Sequence, residues 1–100
     1  MSIAFARGVA DKLRSQIRAW GIAPALVAKE IWSHLEDLDE FPGQRTRVHK
    51  GPLAGCYLHQ FQIDLPPIIL SVSIVYDVEE KHGGHVISVL DFAPKILQEE

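Results

Sequence analysis

The sequence predicts an α+β domain, an N-terminal helical hairpin packed on a three- to four-stranded, mostly antiparallel sheet. Three observations carry this. Apolar residues in the first 40 positions recur at helical spacing, those from Tyr57 onward alternate, and helices and strands occupy separate stretches of the chain. The length of 100 residues, with 47% hydrophobic and 23% charged side chains, suits one compact domain spanning 1–100.

The first helix rests on Ile3, Ala6, Ala10, Leu13, Ile17 and Trp20, which repeat at steps of three and four along one stripe. Gly21 is its expected stop, because glycine takes the left-handed conformation that ends helices. Ile3 and Phe5 equally fit the alternation of a short leading strand. Pro24 suits the first turn of a second helix, where its missing N–H is harmless. Leu26, Val27, Ile31, Leu35 and Leu38 form that helix's apolar stripe, and Pro42-Gly43 closes it. Glu36, Asp37, Asp39 and Glu40 crowd its C-terminal end, where the helix dipole favours cations. The short connection implies antiparallel neighbours.

The strands follow. Tyr57, His59, Phe61 and Ile63 alternate with Leu58, Gln60 and Gln62. Asp64 to Pro67 reads as a connection, because two prolines remove two donors from a ladder. Ile68 to Asp77 carries Leu70, Val72, Ile74 and Tyr76 on one face and Ser71 and Ser73 on the other. Glu79 to Gly84 reads as a polar loop, and His85 to Phe92 as the last strand, ended by Pro94. Tyr57, Phe61, Leu70, Val72, Ile74 and Tyr76 are expected under the helices. The opposite face, with Leu58, Gln60, Gln62, Ile69, Ser71, Ser73 and Val75, is expected to be open and uncharged.

Composition excludes several classes of function. The net charge of −3 argues against avid, non-specific nucleic-acid binding, which rests on neutralising phosphates. The charge is nonetheless segregated: Phe41 to Ile63 holds no acid, only Arg45, Arg47 and Lys50. The longest apolar run, Leu65–Val75, is broken by Pro66, Pro67, Ser71 and Ser73, so no membrane span is expected. No secretion signal is read at the N-terminus, and the single Cys56 suits a reducing cytoplasmic setting.

Several side chains are candidates for chemistry, each beside a plainer reading. His49 lies in the basic segment, where Arg45, Arg47 and Lys50 are placed to hold a phosphate, making it the candidate acid/base catalyst; the plain reading is a solvated loop histidine. His59 shares a face with Tyr57 and Phe61 and reads as a core histidine with a hydrogen-bond partner. His34 reads as exposed on the second helix, and His82 and His85 as turn residues. No metal or cofactor is expected, since only His82 and His85 are close in sequence and no cysteine pair accompanies them. Cys56 reads as a small buried apolar residue, and Trp20 and Trp32 as helix residues explained by core packing or an interface.

Leu35-Glu36-Asp37-Leu38 with Pro42, the basic run Arg45 to Lys50, Leu53-Ala54-Gly55-Cys56-Tyr57, Ile74-Val75-Tyr76 and Ile87-Ser88-Val89-Leu90 follow one another in an order that resembles the RelE/ParE toxin superfamily. The resemblance covers about Ile31 to Phe92. It implies the toxin component of a bacterial toxin–antitoxin system, bound by an antitoxin-like protein and acting on ribosome-bound mRNA as an endonuclease, or on gyrase. Where ribosome-dependent nucleases of that family carry cations, this chain reads Leu58-His59-Gln60-Phe61 and Asp91-Phe92-Ala93-Pro94-Lys95. The alternative is a non-catalytic protein-binding module of the same fold, acting through its sheet face or as a homodimer or larger homo-oligomer.

Overall fold

The computed structural model describes residues 3–40, 46–47, 55–81 and 83–99. The chain runs β1 (Ile3–Phe5), α1 (Val9–Ala19), α2 (Pro24–Glu40), β2 (Thr46–Arg47), β3 (Tyr57–Leu65), β4 (Ile68–Lys81) and β5 (Gly84–Glu99). The strands form one sheet in the order β1-β5-β4-β3-β2. Only β1 runs parallel to its neighbour; every other pairing is antiparallel. The α+β class, the two N-terminal helices on the sheet and its mostly antiparallel character are as expected. The two-residue β2 adds one short strand.

Local chemistry accounts for the helix ends. Ile3 and Phe5 belong to β1 rather than to α1, resolving the ambiguity of the first residues. At the other end Gly21, with φ 75°, sends its N–H to the Arg18 carbonyl at 2.9 Å, and the Ile22 N–H reaches the Ile17 carbonyl at 3.1 Å. This is the glycine-closed Schellman pattern, with apolar Ile22 and Ile17 bracketing it. α2 begins at Pro24 as expected. Along α2 the buried stripe is Val27, Ile31, Leu35 and Leu38. Leu26, expected in it, is 54% exposed, because a step from 26 to 27 turns the side chain about a quarter of the way round the helix. In α1, Val9 is buried and Ala10 exposed, the reverse of the expected stripe.

The core lies between the helices and one sheet face. Leu35, Leu38, Leu70, Val72, Ile74, Tyr76, Ile87 and Val89 are fully buried there. The opposite face is less open than its sequence suggests: Ser71 and Val75 are buried, and the Gln60 side-chain amide donates to Ser71 Oγ at 3.2 Å.

Two strand boundaries differ from expectation. The expected polar loop from Glu79 is largely strand, and β4 and β5 pair out to Lys81 and Gly84. β5 also continues through Pro94 to Glu99 instead of ending there. Pro94 pairs with Val72 on an outer strand whose far side carries only β1, so the donor it lacks has no ladder partner to lose.

The acidic end of α2 is held from outside the helix. Its last turn contains no basic residue. The His85 Nε2–H of β5 instead donates to the Asp39 carbonyl at 2.7 Å, with Asp39 Oδ1 at 3.0 Å. His85 is thus a half-buried strand residue tying the β4–β5 hairpin to a helix C-terminus, not only a turn former. His85→Ala is expected to cost about 1 kcal/mol in a denaturant titration, the usual net worth of a hydrogen bond.

Candidate functional site

Two features of the helix–sheet layer concentrate unusual side chains. The first is an apolar groove of about 330 Å³ between α1 and α2. Its walls are small: Ala10 on α1, and Pro24, Ala25 and Ala28 on α2. Leu13 and Ile17 line it from α1, Ile31 and Trp32 from α2, and Phe5 and Phe92 from the sheet. Small side chains leave hollow the space that leucines would fill between packed helices. Arg14 is the one charged residue of the lining, held at 3.1 Å by Asp11.

The rim of this groove leaves large apolar groups in water. Phe5 is 38% and Trp32 40% exposed, and their rings meet edge to face with centroids 5.7 Å apart. Phe5 also lies 6.2 Å from Phe92. Of the charged residues of α1 that face solvent, Lys12, Arg14 and Arg18 are cationic against Asp11, with Arg14 paired to Asp11 and Lys12 3.6 Å from Asp91 of β5. An apolar trough beside a cationic helix face can receive an apolar surface flanked by carboxylates.

The second feature is a histidine pair. His34 of α2 and His59 of β3 approach at 2.9 Å between Nδ1 and Nε2. His34 also stacks on Phe61, with ring centroids 3.7 Å apart and planes 13° from parallel. His34 is therefore half-buried rather than exposed, a correction to the sequence reading. Its position seven residues after the buried Val27, three after Ile31, turns it toward β3. His59 has the partner expected of it.

The geometry of the pair decides what it can do. The ring centroids are 5.0 Å apart and the bonded nitrogens 2.9 Å, so the rings meet almost nitrogen to nitrogen along one line. One ring N–H donates to the bare nitrogen of the other. A shared metal about 2.0–2.1 Å from each nitrogen would need both rings aimed at a point off that line. Among the described residues no group of three or more His, Cys, Asp or Glu is placed to hold a metal ion. Acid/base cleavage of a phosphodiester needs one group on the attacking oxygen and one on the leaving oxygen, with the phosphate between them. Here the two facing nitrogens occupy one another.

The residues singled out for phosphate chemistry lie elsewhere. His49, Arg45 and Lys50 fall outside the described residues, and Arg47 is described by its backbone alone. That backbone pairs with Tyr57, two positions before His59 on β3. β2 therefore brings part of the basic segment to the sheet edge that bears the histidine pair. Cys56 is a free, partly buried thiol just ahead of β3. The groove had no clear signal in the sequence, although Ala25, Ala28 and Trp32 follow one another at helical spacing. No described helix is long and apolar enough to cross a membrane. No protein family, no curated protein and no solved structure matches the chain.

Proposed function

We propose that this chain is the toxin component of a RelE/ParE-like toxin–antitoxin pair, and that the groove between α1 and α2 seats a helix of the antitoxin-like partner. The observation that carries this reading is the apolar groove with Phe5 and Trp32 exposed on its rim beside the cationic face of α1. A helix with leucine or isoleucine on one face and carboxylates beside it fits that trough in both shape and charge. The order of two helices before an antiparallel run of strands supports the same reading. So does the pairing of the Arg47 backbone with Tyr57, which ties one residue of the basic segment to the start of β3.

A second reading, a non-catalytic binding module of the same build, is favoured by the His34–His59 bond. It engages the facing nitrogens of His34 and His59 with one another, so this pair is not arranged as an acid and a base on either side of a phosphate. Inducible expression separates the two. Under the toxin reading, growth arrests on induction and is restored by co-expressing the neighbouring reading frame. His49→Ala, or joint replacement of Arg45, Arg47 and Lys50 by alanine, then abolishes arrest while the protein remains soluble. Normal growth with abundant soluble wild-type protein overturns the toxin reading. Arrest that survives these substitutions overturns cleavage through the basic segment.

A further inference from the structure

The groove between α1 and α2 is unlike at its two ends. Its lining consists wholly of described residues. The short connection after α1 reverses the chain, so Ile17 comes beside Pro24 at the turn end and Ala10 beside Trp32 at the far end. The contact of the Phe5 ring, just ahead of α1, with Trp32 fixes that alignment. At 1.5 Å per residue the lined stretch is about 11 Å long, roughly two helical turns.

Aromatic rings gather at the far end, where Phe5 lies against both Trp32 and Phe92. Cations gather at the turn end. Arg14 lines the groove, Arg18 stands one helical turn beyond it on the same flank of α1, and Lys29 stands one turn beyond Ala25 on the facing wall. α2 also begins here, so its dipole adds partial positive charge. The acids near this end do not balance it. Asp11 is matched by Arg14 at 3.1 Å, and Glu30 falls about 200° round α2 from Ala28, away from the groove. Among the described residues no ion pair engages Arg18 or Lys29. The far end is closer to neutral, with exposed Arg7 against Glu36, one turn beyond Trp32, and Lys12 against Asp91.

We infer that the groove reads the direction of its occupant: an acidic turn of the partner helix lies against Arg14, Arg18 and Lys29, and the helix's bulky apolar side chains lie toward Phe5 and Trp32. This rests on the proposed seating of a helix in the groove and adds which way that helix runs. A helix laid in the reverse direction sets its carboxylates beside Glu36 and leaves Arg18 and Lys29 unmatched, so one direction is favoured by attraction and the other disfavoured by repulsion. Asp11 has a definite part in this. Arg14 must turn from Asp11 to meet an incoming carboxylate, and Asp11 then stands as a like charge beside it. Asp11 therefore restrains binding at the turn end, whereas Glu36, at the far end, lies clear of the partner's acids.

Titration of the product of the neighbouring reading frame into wild type, Arg18→Glu, Lys29→Glu, Asp11→Asn, Glu36→Gln and Trp32→Ala, at low and high salt, tests it. The four charged positions are exposed, so their variants keep the fold, checked by circular dichroism. Arg18→Glu and Lys29→Glu are each expected to weaken binding about fivefold at low salt, chiefly by slowing association, and the loss shrinks at high salt. Asp11→Asn is expected to tighten binding about threefold, and Glu36→Gln to leave it within about twofold. Binding that Trp32→Ala weakens but Arg18→Glu, Lys29→Glu and Asp11→Asn all leave unchanged overturns the inference and spares the groove as a helix seat. Tightening by Glu36→Gln in place of Asp11→Asn shows the reverse direction and overturns it too. A product that does not bind wild type, or that binds Trp32→Ala as tightly, overturns the helix seat and this inference with it.

Discussion

Leu35→Ala is expected to cost about 2–5 kcal/mol in equilibrium denaturation, whereas Leu26→Ala, on the same helix, is expected to stay within about 0.5 kcal/mol. Leu35 is fully buried between α2 and the sheet, and its truncation leaves a cavity that the surrounding strands cannot collapse to fill. Leu26 is more than half exposed and loses little contact. A domain of this size is stable by about 5–15 kcal/mol, so the Leu35 variant forfeits a large share of the whole. Guanidinium titrations of the two variants decide the matter, read as a change in midpoint at constant slope. Equal losses at both positions would contradict the orientation of α2.

Trp32→Ala is expected to weaken partner binding by about 2 kcal/mol or more, roughly thirtyfold in affinity, while leaving the fold nearly intact. The Trp32 indole stands on the groove rim with Phe5 against it, and two-fifths of its surface still meets water. A large aromatic group held in this way on a groove edge is the kind of residue that dominates an interface. Calorimetric titration with the product of the neighbouring reading frame measures the effect. Co-expression gives the cellular counterpart, since under the proposed function the variant should escape neutralisation. Unchanged affinity would remove the groove from the interface.

Much of the architecture was legible in the order of residues. The stripe Val27, Ile31, Leu35, Leu38 and the alternation through Leu70, Val72, Ile74 and Tyr76 each name their own buried face, because those periods are properties of the local backbone. Gly21 and Pro24 likewise mark the helix ends through their own conformational limits. Pro94 misled for the opposite reason. A proline ends a strand only where its absent N–H had a ladder partner, and that depends on which strand lies alongside.

The candidate site was legible only in part. His59 could be assigned to the helix-facing side of its strand, but its partner His34 sits 25 positions away and looked solvent-exposed among acidic neighbours. The groove is harder still to read, since it consists of space left between small side chains on two helices.

Local order thus suffices for the class of fold, the close of α1 at Gly21, the start of α2 at Pro24 and most of the core, because short-range backbone geometry and hydrophobic period act within a few residues. The His34–His59 bond, the hollow between α1 and α2 and the passage of β5 through Pro94 were decided by tertiary structure alone. Each depends on which segments lie side by side, and no period along a single segment records its neighbours.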